Sequence, residues 1–172
     1  MEARPPLRTI PDFPRVGINF IDITPWVLDG QAFRAAIDEL AAFARPLGVD
    51  LVAGPEARGF LVGAPLALAL GVGFAPVRKP GRLPYDTMRV DYELEYGEAS
   101  LEIHVDAVKP GQRVLVVDDL LATGGTVAAT ISLIERQGGL VPGLGFMVEL
   151  AFLDGRSRLP KLPIHSVVRL ED

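Results

Sequence analysis

Residues 114–126, Val-Leu-Val-Val-Asp-Asp-Leu-Leu-Ala-Thr-Gly-Gly-Thr, leave this chain few ways to fold. Val114, Leu115, Val116 and Val117 form an unbroken apolar run, which predicts a strand covered on both faces. Asp118 and Asp119 close the strand in this reading. Residues 127–137 predict a helix, with Val127, Ile131 and Ile134 on one face. Between strand and helix lies a turn of small residues and threonines. Such a turn aims unpaired amide groups and the positive end of a helix dipole at one point, which suits a phosphate group. Ala122, Gly124 and Gly125 keep it narrow enough for close backbone approach, and Thr123 and Thr126 add hydroxyl donors. The two carboxylates stand on its rim, where sugar hydroxyls or a hydrated Mg²⁺ would meet them. The stretch lacks the Gly-Lys-Ser/Thr ending of a Walker A loop. It also lacks the Gly-x-Gly-x-x-Gly spacing of a dinucleotide site.

The rest of the chain supplies the body such a unit needs. Its 172 residues, 49% hydrophobic and 23% charged, suit one domain with a full core. A net charge of −5 gives no basic field to attract nucleic acid. The absence of cysteine excludes disulfides, thiolate metal sites and a cysteine nucleophile. His104 and His165 have no metal-ligand spacing, so no metal site fixed by the protein is expected. Residues 59–77 carry no charge, yet six Gly and Pro residues break them into a helix over 61–70, a turn and a strand over 74–77. No membrane span is expected there. Residues 1–10 lack the apolar run of a signal peptide, and the cytoplasm is the expected location.

Along the chain, residues 1–28 read as irregular and Pro-rich with short extended pieces over 11–14 and 16–26, and residues 29–44 as a helix capped by Asp29. A short strand over 49–53 feeds the turn Gly54-Pro55-Glu56-Ala57-Arg58-Gly59-Phe60. Arg58 stands at a helix start, where an anion would bind. After the strand over 74–77, Arg78, Lys79 and Arg82 cluster at the ligand edge of an open α/β sheet. Residues 85–104 read as a long mobile hairpin ending in a strand over 100–105. One or two strands are expected over 140–150 and a last one over 166–170.

The stretch 114–126 closely resembles the phosphoribosyl-pyrophosphate signature of the type I phosphoribosyltransferases, in the form used by the adenine branch of that family. The resemblance extends over residues 11–170. It implies an α/β fold with a mostly parallel sheet flanked by helices. A small hood (1–28) and a flexible lid hairpin (85–104) join a core (29–172) in one domain. The pieces Pro-x-Phe-Pro, Gly-Ile-x-Phe and Asp-Ile-Thr-Pro resemble the hood, which makes Phe20 the residue stacking on adenine and gives Asn19 and Ile21 main-chain contacts. Residues 54–60 resemble the pyrophosphate loop, with Arg58 as ligand and a cis peptide expected near Glu56-Ala57. Residues 78–84 resemble the family's Arg-Lys-x-Gly-Lys-Leu-Pro, with Arg82 replacing the usual Lys. These cations are expected to hold pyrophosphate, partly across a homodimer interface.

Leu94-Glu95-Tyr96-Gly97 resembles the catalytic flexible loop, giving Glu95 the acid–base role and Tyr96 a part in closing the site. Glu149-Leu150-x-x-Leu153-x-Gly155-Arg156 resembles the family's carboxyl-terminal pattern. The implied reaction joins adenine to the phosphoribosyl group of phosphoribosyl pyrophosphate, giving AMP and pyrophosphate. Asp118 and Asp119 would face the ribose, the turn 122–126 would cradle its phosphate, and Mg²⁺ would arrive mainly through the substrate. Two other readings stay open on sequence alone. One is the same chemistry on another purine base or orotate. The other is a phosphoribosyl-pyrophosphate-sensing regulator without turnover.

Overall fold

The computed structural model describes residues 7–94 and 97–171. At its centre are five parallel strands: β3 (Leu51–Pro55), β4 (Gly73–Val77), β7 (Val114–Leu121), β8 (Leu144–Leu150) and β9 (Ile164–Leu170), in the order β4-β3-β7-β8-β9. Four helices accompany them: α1 (Thr24–Leu28), α2 (Gly30–Ala44), α3 (Arg58–Leu70) and α4 (Gly125–Arg136). Two further strand pairs are antiparallel, β1 (Arg8–Ile10) with β2 (Phe20–Asp22) and β5 (Thr87–Leu94) with β6 (Gly97–His104). The expected α/β architecture is therefore present.

Alternation along each central strand divides the core in two. Leu51, Ala53, Val114 and Val116 point to one face of the sheet, where α4 and the β5–β6 hairpin cover them with Val127, Ile131, Ile134, Val90, Leu101 and Ile103. Val52, Leu115 and Val117 point to the other, under Trp26 of α1, Ile37 and Leu40 of α2, and Val62 and Leu66 of α3. All seven residues of β8 are buried, as a strand covered on both faces requires. Asp29 caps α2 by accepting from the Gln31 and Ala32 amides.

Two expectations change. The strand at 114–117 does not end at the carboxylates; it runs on to Leu121, because Phe146, Val148 and Glu149 of β8 continue the ladder against Asp118, Leu120 and Leu121. The region 1–28, expected as irregular chain with short extended pieces over 11–14 and 16–26, holds β1, β2 and the helix α1. These elements have three to five residues each and escape periodicity. The uncharged stretch resolves into α3, a left-handed Gly71 and β4. Among the described residues no helix is long and apolar enough to cross a membrane.

Leu40 is fully buried on α2 and packs at Gly145, near the amino end of β8. Leu40→Ala is expected to lower unfolding free energy by about 2–5 kcal/mol while leaving KM for each substrate unchanged; denaturant titration and steady-state kinetics measure both.

Candidate active site

The chain leaves β3 for β4 on one side and later enters β7 on the other. The sheet order therefore reverses between β3 and β7, and a crevice opens beyond their carboxyl ends. Two loops fill its rim. After β3, the cis peptide Glu56-Ala57 leads into α3 at Arg58. After β7, the turn 122–124 leads into α4, with Gly124 at the cap in a left-handed conformation (φ 84°) that costs glycine little. No side chain of the described residues caps α4, so its first-turn amides keep their capacity to bind an anion. Together Arg58 and residues 118–127 line a cavity of about 200 Å³.

The acid pair sits at its floor. Asp119 is only 3% exposed, and its Oδ2 lies 3.0 Å from Arg58 Nε. That contact lacks hydrogen-bond alignment, so Oδ2 is buried without an aligned donor among the described residues. Asp118 Oδ1 accepts from the Asp119 amide at 2.8 Å. Burial, then the neighbouring Asp119 carboxylate, push the Asp118 carboxyl well above the usual carboxylate range, against the pull of the Asp119 amide and of Arg58. Gly59 permits this crowding: a Cβ there would stand 2.9 Å from Asp118 Oδ1. Arg58, 42% exposed, reaches outward too, with its Cζ 4.7 Å above the Phe20 ring. Phe20 packs edge-on against Phe13 at 5.2 Å. One guanidinium thus ties the amino-terminal segment to the acid pair.

The structure gathers Arg58, Asp118, Asp119 and residues 122–126 around one cavity and brings Phe20 against Arg58. Asn19 beside Phe20 is exposed, while Ile21 packs on the core under α1 and α2. Arg78, Lys79 and Arg82 do not line the cavity. They assemble one loop away around Glu56, which accepts from Arg78 Nε and Nη2 at 3.3 and 3.4 Å and from the Lys79 amide at 2.6 Å. Arg78 also donates to the Arg82 carbonyl. Burial raises the Glu56 carboxyl, but these donors outweigh it and hold it below its usual range. Glu95 and Tyr96 lie outside the described residues.

Sequence reasoning overlooked two residues here. Glu56 organises the cation cluster. Tyr92 Oη lies 3.4 Å from Thr126 Oγ1, with its ring 3.7 Å from where a Gly125 Cβ would stand. Tyr92 shares the inward face of β5 with Met88 and Val90, so the alternation of 87–94 carried a usable signal.

The folded-state pKa of Asp118 lies above the unfolded one, so its burial costs stability that appears as pH rises past the unfolded value. Asp118→Asn is expected to raise the melting temperature near neutral pH. The gain should shrink as pH falls through 3.8, below which the parent carboxyl is protonated in both states; calorimetry across pH measures it.

Comparison with known proteins agrees with this geometry. Residues 26–169 match the model of the phosphoribosyl transferase domain. The adenine phosphoribosyltransferase of Brevibacillus brevis is 56% identical over 169 residues, covering 98% of this chain and 99% of that relative. The crystal structure of adenine phosphoribosyltransferase from Thermoanaerobacter pseudethanolicus superposes with a TM-score of 0.93 at 57% identity, covering 95% of each chain. The Saccharomyces cerevisiae enzyme, solved with an imino-altritol bisphosphate and adenine, gives 0.87 at 41% identity, covering 94% of this chain and 93% of that one. By its fold, its cavity and its near full-length identity to these relatives, the chain belongs to the phosphoribosyltransferase family, in the adenine phosphoribosyltransferase branch.

Proposed function

We propose that this protein transfers the 5-phosphoribosyl group of phosphoribosyl pyrophosphate to adenine, giving AMP and pyrophosphate, a purine-salvage reaction. The observation that carries the reading is the cavity where a cation, two carboxylates and an uncapped helix start converge. It fits a ligand with a phosphate at one end, hydroxyls in the middle and a second anion beyond. The yeast relative solved with adenine supplies the base.

In this mechanism N9 of adenine bonds to C1′ of the ribose as the bond from C1′ to the pyrophosphate oxygen breaks. The N9 proton passes to Glu95, a base effect of about 10²–10⁴-fold. The residues 122–126 hold the 5′-phosphate through amides of the α4 start and the hydroxyls of Thr123 and Thr126. Asp118 and Asp119 hold the ribose hydroxyls. Negative potential at this floor favours the positive charge that develops on the ribose ring. In this reading Arg58, between the acid pair and the Phe20 ring, holds pyrophosphate together with Arg78, Lys79 and Arg82. Phe20 offers its ring to adenine, Asn19 and Ile21 their main chain, and Tyr96 helps to close the site.

Among the described residues no group of three or more His, Cys, Asp or Glu offers a full metal cage. The acid pair with its unsatisfied Asp119 Oδ2 instead suits a hydrated Mg²⁺ carried in by the substrate. Asp118 and Asp119 are the residues that would hold it, and bound there it would neutralise charge on the leaving pyrophosphate. A homodimer is part of this reading. Leu61 and Leu68, exposed at 44% and 82% and seven residues apart on α3, give it an apolar face to bury. The protein is placed in the cytoplasm, with neither nucleic acid nor membrane as a partner.

Incubation with adenine, phosphoribosyl pyrophosphate and Mg²⁺ is expected to yield AMP and pyrophosphate, with little product from hypoxanthine, guanine or orotate; chromatography of a base panel checks it, and absence of AMP refutes it. Phe20→Ala is expected to raise KM for adenine roughly tenfold, the value of one lost stacking contact, while KM for phosphoribosyl pyrophosphate changes far less; steady-state kinetics with each substrate varied in turn decides it.

A further inference from the structure

The wall behind the phosphate turn is held by an ion pair between buried Glu149 and the more exposed Arg156, neither of which lines the cavity. Glu149 sits near the carboxyl end of β8, opposite Leu121, the last residue of β7 before the turn. It is 2% exposed. Arg156 grips it with two bonds, Nε to Oε1 and Nη2 to Oε2, both 2.6 Å. Ser166 Oγ of β9 donates to Oε2 at 2.7 Å, and Arg169 Nε lies 3.8 Å from Oε1. Burial raises this carboxyl, but the bonds from Arg156 and Ser166 and the charges of Arg156 and Arg169 prevail and hold it ionised below its usual range.

The grip on Arg156 fixes the residue before it. Gly155 opens a short 3-10 turn, Gly155–Arg158, that touches α4. Its backbone lies directly on the phosphate turn. A Cβ on Gly124 would meet the Gly155 carbonyl oxygen at 2.6 Å, and one on Gly155 would run into the Ala122 carbonyl. No side chain separates the two backbones, so a shift of Gly155 moves Ala122 and Gly124 with it. Bidentate arginine–carboxylate pairs fix geometry as well as charge, and a buried carboxylate keeps its partner because an unpaired charge there is strongly unfavourable.

We propose that Glu149, Arg156 and Ser166 form a clamp that presses Gly155 against the turn 122–124 and so sets the spacing of the amides that receive the 5′-phosphate. Glu149 and Arg156 are then positioning residues for phosphate recognition, acting through backbone contact and never touching substrate. The inference rests on the reading of residues 122–126 as the phosphate site.

Three variants test it: Arg156→Lys, which keeps charge but loses the fork; Ser166→Ala, which trims one bond; and Gly155→Ala, which keeps both side chains of the ion pair and wedges the contact. Calorimetry with AMP, ribose 5-phosphate and pyrophosphate is combined with steady-state kinetics and a thermal melt. Arg156→Lys and Gly155→Ala are expected to weaken AMP and ribose 5-phosphate and to raise KM for phosphoribosyl pyrophosphate, each about tenfold. Affinity for pyrophosphate, KM for adenine and kcat should stay within about threefold, and Ser166→Ala should fall between parent and Arg156→Lys. A folded Arg156→Lys or Gly155→Ala that binds AMP like the parent overturns the clamp, as does equal loss for AMP, pyrophosphate and adenine. If Arg156→Lys does not fold, Gly155→Ala and Ser166→Ala decide by the same readouts. A parent protein that fails to bind AMP would overturn the site itself, an outcome distinct from failure of the clamp.

Discussion

The parallel pairing of β3 with β7 is what makes a site out of two loops. Leu51 lies against Val114, Val52 against Leu115 and Ala53 against Val116, and this register brings both strand ends to one edge of the sheet. The chain departs from β3 in one direction and returns to β7 from the other, so no crossover covers the gap between them. Arg58 then stands 3.0 Å from Asp119, although 61 positions separate them in sequence. A register shift by one residue would turn every buried side chain of β7 to the opposite face and carry the acid pair away from Arg58. The two apolar cores, one on each face, hold the register in place.

Polar groups in this region are left short of partners where a ligand would sit and are fully paired one layer behind. Among the described residues, Asp119 Oδ2 is buried without an aligned donor and the α4 start has no side-chain cap, while the Asp118 carboxyl is held above its usual range. Behind the turn, Glu149 receives every bond it needs. Such a division is expected of a site that is rigid in its backbone and unsatisfied at its surface, since unsatisfied donors and acceptors are what a ligand can complete. The free protein bears the cost in stability, and the strand and helix packing around it supply the compensation.

Arg58 joins three parts of the molecule. It faces the carboxylates on one side and the Phe20 ring on the other, while its own loop begins at Glu56, the acceptor that gathers Arg78 and the Lys79 amide. Charge is therefore arranged in sequence along the sheet edge: cations around Glu56, then Arg58, then the acid pair, then the helix start. An elongated ligand with anions at both ends and a neutral sugar between them matches that order.

The unit Val114–Leu121, turn and helix α4 was legible because its signals are local: an apolar run, paired acids, two glycines and a 3.6-residue stripe act within twenty positions. The same holds for the Asp29 cap and for the division of the uncharged stretch by Gly71. Three to five residues of β1, β2 and α1 are too few to show a period, and the strand end at Leu121 depended on β8 continuing the ladder. The sequence by itself thus determined which residue types stand at strand ends and helix starts, and through the family resemblance what chemistry they serve. Only the tertiary structure decided which of them meet. The contact of Arg58 with Asp119 and Phe20, the cluster at Glu56, Tyr92 over Gly125 and the Glu149–Arg156 clamp all follow from strand register and from the packing of distant segments. Those are set by the summed burial of two cores, which no local stretch of sequence encodes.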